Sequence, residues 1–207
     1  YSTQSWGKDM DRLTRDYILA VDASSSMLMK LPDGRSRWTT VLKAAARLAA
    51  GVEDLDPDGL DVYTFATRVK KLGNATAQGI SDLFAKQAPF GSTDLAGLLN
   101  LVLRPWRPES PATLLIITDG KPDDEEAAIR ELIIATQKMS TENQLSVSFV
   151  QIGDDPEATK FLHFLEDELV RMGAKFDVID IVTVNSFGDR TLEEVLLEAI
   201  EKEWAKN

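Results

Sequence analysis

The 207 residues are 43% hydrophobic and 28% charged, an ordinary balance for a globular chain long enough to bury a sizeable core. A formal net charge of −11 argues against nonspecific nucleic-acid binding, because phosphates would be repelled. No apolar run approaches the length of a membrane span, and zero cysteines exclude disulfides and thiolate chemistry and favour a reducing, cytoplasmic compartment. The chain begins Tyr1-Ser2-Thr3 with no initiator Met, as an excised or trimmed domain would, which leaves a removed signal peptide open.

Residues 1–15 read as a polar N-terminal arm before a domain spanning 16–207. Tyr17-Ile18-Leu19-Ala20-Val21 is an apolar run that predicts a buried strand ending at Asp22. Pro32-Asp33-Gly34 is a turn signal. Val41, Leu42, Ala45, Leu48, Ala49 and Val52 recur at helical spacing, and Asp56-Pro57-Asp58-Gly59 stops that helix. Leu60 to Ala66 predicts a strand, with Arg68 to Leu72 pairing as a hairpin. A short helix carries Ile80, Leu83 and Phe84. Another carries Leu95, Leu98, Leu99, Val102 and Leu103 and ends before Pro105.

Thr113 to Thr118 is apolar throughout, as in a parallel strand covered on both faces. A helix follows from about Asp124 to Ser140, then a strand over Leu145 to Ile152. Glu157 to Met172 predicts a helix stopped by Gly173, and Phe176 to Val184 a strand. Thr191-Leu192-Glu193-Glu194 is a capping box opening a last helix, with Leu192, Val195, Leu196, Ala199 and Ile200 on one face. Strands alternating with helices predict a three-layer α/β/α sandwich. Its Rossmann-like, mostly parallel sheet has about six strands, with one short antiparallel edge strand.

Three segments at predicted strand ends and loops carry the chemistry. Asp22-Ala23-Ser24-Ser25-Ser26 places an acid and two hydroxyls at alternating positions just beyond the first strand. Strand ends of α/β sheets are where ligand sites are built. Asp, Ser and Ser form an all-oxygen set suited to a hard cation such as magnesium. Phe90-Gly91-Ser92-Thr93-Asp94-Leu95 and Ile116-Ile117-Thr118-Asp119-Gly120 supply further oxygens.

In this arrangement the chain resembles a von Willebrand factor type A domain. That family carries a metal-ion-dependent adhesion site written Asp-x-Ser-x-Ser, then a distant Thr, then a more distant Asp. Asp22, Ser24, Ser26, Thr93 and Asp119 fill these five positions in order. The likeness covers roughly residues 15 to 205. Val150-Gln151-Ile152-Gly153-Asp154-Asp155, Ala158-Thr159-Lys160-Phe161-Leu162 and Gly173-Ala174-Lys175-Phe176-Asp177-Val178-Ile179-Asp180 agree with single-domain intracellular members. A common family variant has Gly where this chain has Ser25, although Ser also occurs there.

The resemblance implies Mg2+, with Mn2+ or Ca2+ as alternatives, held by those five residues. It further implies a non-catalytic module in which a partner protein's Glu or Asp carboxylate replaces a metal-bound water. In adhesion relatives the C-terminal helix, here Thr191 to Trp204, moves with ligand binding. Two other functions compete: a metal-dependent hydrolase, and an intracellular adaptor in an ATPase, ubiquitin or repair complex whose metal is structural. The hydrolase lacks a second Asp two residues after Asp22, a Gly-x-x-x-x-Gly-Lys loop and a histidine near the strand ends.

Neighbouring residues receive plainer readings. Asp94 reads as a helix cap or first-turn acid rather than a ligand, and Asp123, Asp124, Glu125 and Glu126 as solvated first-turn acids rather than a calcium cluster. His163 reads as a partly packed, non-catalytic residue. Met27 and Met29 read as core fillers or loop contacts. Trp38 and Trp106 fit equally as exposed anchors or as caps over the sheet's helices. Lys30, Arg35, Arg37 and Lys121 are expected to soften repulsion toward an acidic partner. Asn74-Ala75-Thr76 is taken as a chance glycosylation sequon.

Overall fold

A computed structural model describes residues 15–52, 59–76, 78–184 and 194. Six strands form one sheet: β1 (Asp16–Asp22), β2 (Leu60–Phe65), β3 (Val69–Ala75), β4 (Ala112–Thr118), β5 (Leu145–Ile152) and β6 (Ile179–Val184). Their order across the sheet is β3-β2-β1-β4-β5-β6. All pairings are parallel except β2 with β3, which is antiparallel and carries a register shift between Val62 and Tyr63. Among the described residues, five α-helices flank the sheet: α1 (Arg37–Val52), α2 (Ile80–Ala85), α3 (Leu95–Leu103), α4 (Glu125–Gln137) and α5 (Pro156–Glu168). The expected sandwich, with its one antiparallel edge strand, is the fold observed.

Alternation along the strands explains the layers. In β1, Tyr17, Leu19 and Val21 face one apolar cluster with Val41, Ala45 and Leu48 of α1 and Ile80 and Phe84 of α2. Ile18 and Ala20 face the other, with Leu98 and Leu99 of α3, Leu132 of α4 and Phe161, Leu162 and Leu165 of α5. Because both faces are covered, β1 and β4 carry continuous apolar runs rather than alternating ones, and β5 is buried throughout although Ser146, Ser148 and Gln151 interrupt its apolar residues. Truncating a fully buried side chain such as Leu98 to alanine would cost about 2–5 kcal/mol.

Element ends follow local chemistry. Asp94, Asp124 and Asp155 cap α3, α4 and α5, each accepting hydrogen bonds from first-turn backbone N–H groups. α5 is shorter than the predicted Glu157–Met172, because turn residues follow Glu168. They close where Gly173, at φ +116°, donates its N–H to Val170 and Ala174 donates to Leu169. α4 stops at Gln137 rather than Ser140, and the Lys138 ammonium folds back onto the carbonyls of Leu103, Arg104 and Trp106. β6 starts at Ile179 rather than Phe176, where Asp177 accepts from the Ile179 N–H in a turn.

The arm assigned to residues 1–15 falls outside the described residues except for Arg15. That residue is buried and donates to the carbonyl of Asn143 at 2.6 Å. The last helix lies outside them too, except for Glu194. No helix among the described residues is long and apolar enough to cross a membrane.

Candidate functional site

β1 and β4 lie side by side at the centre of the sheet, so their C-terminal tips are adjacent. β1 ends in Asp22, and β4 runs into Asp119 one residue past its last strand position. Both aspartates are as inaccessible as the apolar strands below them, at 0% and 1% exposure. Buried carboxylates need hydrogen bonds or a counter-charge, and each is supplied differently.

Asp22 accepts from the Ser24 N–H at 2.8 Å and from the Thr118 hydroxyl at 2.7 Å. No cation pairs with it among the described residues. Burial pushes its carboxyl up to about 6 against the hydrogen bonds from Ser24, and the nearby Asp119 charge adds to the rise. Asp119 instead receives the Ser26 hydroxyl on Oδ1 at 2.6 Å and the Arg37 guanidinium on Oδ2 at 2.8 Å. Arg37 leads α1, with a side chain only 10% exposed. Its Nη1 also lies 3.7 Å from the Met29 sulfur, and its Nε is buried without a hydrogen-bond partner. Gly153, at φ +92° just past β5, makes room for it: a Cβ there would sit 2.4 Å from Arg37 Nη2.

The serines join the aspartates into one polar chain. Ser24 and Ser26 hydroxyls are 3.0 Å apart, and Ser26 passes the contact on to Asp119. The Thr93 loop is tied on through backbone. Phe90 N–H donates to the Ala23 carbonyl, Ser25 N–H to the Gly91 carbonyl, and Gly91 N–H to Ser25 Oγ. Thr93 itself is buried, and Asp123 brackets it, accepting from the Thr93 N–H at 3.1 Å and donating its own N–H to the Thr93 carbonyl at 2.9 Å. Four of the five sequence-assigned residues thus share one hydrogen-bonded set, and the fifth stands on a loop fastened to it.

Several neighbours depart from their sequence readings. Arg37 is not a surface charge facing an acidic partner but the buried counter-ion of Asp119. Arg35 pairs with Asp33 and Lys121 with Glu125. Asp123 is exposed as expected but also clamps Thr93; Asp94 is a cap as expected, and Asp124, read as a solvated first-turn acid, is exposed and caps its helix. His163 is exposed rather than partly packed, 3.5 Å from Glu166. Trp38 and Trp106 are both buried, Trp38 edge-on to Phe84 at 5.7 Å and Trp106 donating to the Ser110 carbonyl. Met27 is core and Met29 exposed. Thr118 and Gly153 enter the sequence reading only within longer stretches, with no individual role assigned to either. Thr118 carried a signal, being a hydroxyl at the tip of an otherwise apolar strand; Gly153 carried none that pointed to Arg37.

Among the described residues no group of three or more His, Cys, Asp and Glu side chains is placed to hold a metal, so a cation here would depend on two carboxylates plus hydroxyls.

No family model matches the chain, and no curated protein matches it by sequence. Solved structures do match. The chain is similar to the conserved hypothetical protein BatB from Bacteroides thetaiotaomicron, with TM-score 0.61 and 20% identity over 93% of this chain and 99% of that one. It is similar to the SpRpn10 VWA domain, with TM-score 0.61 and 11% identity over 89% of this chain and 95% of that one. It is also similar to the manganese-loaded Plasmodium vivax TRAP protein, with TM-score 0.58 and 15% identity over 93% and 74%. With the sheet order and helix layers above, these likenesses show that the chain has the von Willebrand factor type A fold.

Proposed function

We propose that the chain, as a module spanning residues 16–207, is a non-catalytic, metal-dependent protein-interaction domain. Asp22, Ser24, Ser26, Thr93 and Asp119 hold a magnesium-type divalent cation, with manganese or calcium as substitutes. A partner protein's Glu or Asp carboxylate completes the coordination. The observation that carries this reading is the continuous contact from Ser24 through Ser26 to Asp119 beside the unpaired, fully buried Asp22.

The donor set fits such an ion. All its atoms are oxygens, as magnesium requires. Ligand oxygens at adjacent octahedral positions around magnesium lie about 3.0 Å apart, given metal–oxygen distances near 2.1 Å. The Ser24 and Ser26 hydroxyls are 3.0 Å apart. Asp22 is a buried carboxylate lacking a counter-charge, which a cation would supply. The TRAP structure similar to this chain is described as manganese-loaded, which supports the same reading.

When bound, the ion would act as a Lewis acid that accepts an incoming carboxylate. The protein's own contribution is electrostatic. Arg37 balances Asp119, so the cradle carries one net negative charge, not two. A divalent ion held there keeps positive charge to offer a partner. A binding role is supported over hydrolysis by His163, the chain's single histidine, which stands exposed on α5 rather than at the sheet end. The absence of cysteine suits a cytoplasmic setting.

The test is calorimetric titration of Mg2+ and Mn2+ into the wild type and Asp22→Ala. Saturable binding by the wild type that drops at least tenfold in the variant is expected. Equal affinity in the two sinks the assignment.

A further inference from the structure

We infer that the cleft beside this site is a second anchor for the partner, taking a further carboxylate of the same acidic peptide segment. The cleft has a volume of about 410 Å³ and opens between the β2–β3 turn and the segment leading to Thr93. Its floor includes Ala23, between Asp22 and Ser24, so an occupant lies directly beside the metal cradle. Arg68, Lys70 and Phe90 stand on its walls. This inference rests on the metal-site reading for the first carboxylate only.

Charge identifies the occupant. The chain carries 34 acidic residues and a net charge of −11, yet none of the residues lining this cleft is acidic. Arg68 and Lys70 are both exposed. Neither pairs with an acid among the described residues; Lys70 reaches only the Gln87 side-chain oxygen, at 3.3 Å. Lys71, the next residue along β3, is by contrast tied to Asp61. An acidic partner, repelled by the molecule as a whole, meets two uncommitted cations here. Phe90 is 79% exposed at the rim and offers an apolar surface for the residue between the two acids.

The cleft and the cradle are also mechanically one piece. Thr67, at the β2–β3 turn, accepts the Ser92 N–H at 3.1 Å. Gly91 packs so closely on it that a Cβ would sit 2.1 Å from the Thr67 hydroxyl. The wall bearing Arg68 is therefore fastened to the loop bearing Thr93. The two anchor points keep a fixed spacing, which reads the separation of two carboxylates along a peptide, and preorganised spacing of this kind is a source of specificity.

The test selects from a displayed library of random twelve-residue peptides enriched in Asp and Glu, on the wild type in Mg2+. Selected peptides are then measured against Arg68→Gln/Lys70→Gln, Arg68→Glu/Lys70→Glu and Asp22→Ala, with and without chelator. The expected selection carries two acids at a recurrent spacing. The glutamine pair should weaken it about tenfold and the glutamate pair more, with unchanged melting temperature and magnesium affinity no weaker than wild type. Selected peptides with a single acid, peptides indifferent to both pairs, or no selected peptide at all overturn the inference. If the chain binds neither Mg2+ nor Mn2+, the metal reading fails separately. The cleft is then judged by whether residual peptide binding in chelator falls in the two variant pairs; no residual binding, or binding that does not fall, overturns it.

Discussion

The tips of β1 and β4 are neighbours, and each ends in an aspartate sealed from solvent, but they meet the cost of a buried charge in different ways. Asp119 is matched by Arg37, a permanent cation delivered by α1 and accommodated by Gly153. Asp22 has only dipoles, from the Ser24 backbone and the Thr118 hydroxyl. Burial therefore falls on Asp22 as a raised carboxyl pKa of about 6. One tip is complete within the chain; the other is complete only with something added. That asymmetry, more than the number of oxygens present, is what supports the proposal of a cation at the β1 tip.

The comparison can be broken most forcefully at the finished tip. Asp119→Ala strands the Arg37 guanidinium in the interior and should cost about 3–5 kcal/mol by urea unfolding. A loss under 1 kcal/mol would show that Arg37 simply swings out to water and that the β4 tip is no more self-sufficient than β1.

The unfinished tip should behave oppositely. Asp22→Asn removes a charge that nothing pairs, so the metal-free variant should equal the wild type or exceed it by about 1–3 kcal/mol at pH 7.5. The pH dependence gives the sign independently. Burial holds the native carboxyl at about 6, above its ordinary value of 3.8, so between those values the folded state holds the extra proton. Relative to Asp22→Asn, metal-free wild type should gain stability as pH falls through 6 and level off below 3.8. Parallel stability curves for the two proteins between pH 7.5 and 4.5 would contradict an unpaired Asp22.

Gly153→Ala sharpens the contrast by disturbing only the Arg37 side. It adds a methyl at positive φ against the guanidinium, and should cost about 1–2 kcal/mol. Magnesium affinity should then rise or fall with how well Arg37 still holds Asp119; an unchanged melting temperature would mean the guanidinium yields freely. The smallest expected effect is Thr118→Val, which deletes one donor to Asp22 and should cost about 1 kcal/mol metal-free. Saturating magnesium should shrink that difference, and a difference that grows would mean Thr118 serves the ion more than the empty carboxylate.

The sandwich was legible because each strand–helix alternation wrote its own periodicity. The strand expected from Leu145 to Ile152 is β5 to the residue, because Leu145, Val147 and Phe149 alternate with Ser146 and Ser148 at the period of a strand. Boundaries slipped where side chains chose them: Asp177 delaying β6, and the turns after Glu168 shortening α5. In the candidate site, Asp22, Ser24 and Ser26 stand out because an acid and two hydroxyls at alternating positions declare oxygen chemistry, whereas Thr93 and Asp119 are assigned through the family resemblance. Arg37 was not, because its partner lies 82 residues away and a cation beginning a helix looks like solvent-facing charge. Trp38 and Trp106 were ambiguous for a similar reason: an aromatic beside a turn fits either a surface or a lid until packing decides.

The position of β1 between β2 and β4 carries a consequence for the order of events in folding. Asp22 meets Thr118 across 96 residues of sequence, and Ser26 meets Asp119 across 93. Nothing in the first thirty or so residues can assemble this polar knot alone; it exists only once the central strands have paired. Contacts that form late in folding act on the rate of unfolding rather than the rate of folding. The knot is expected to act as a clasp rather than a nucleus: removing the Ser26 hydroxyl should speed unfolding and leave the folding rate unchanged, and a slower folding rate would overturn that expectation.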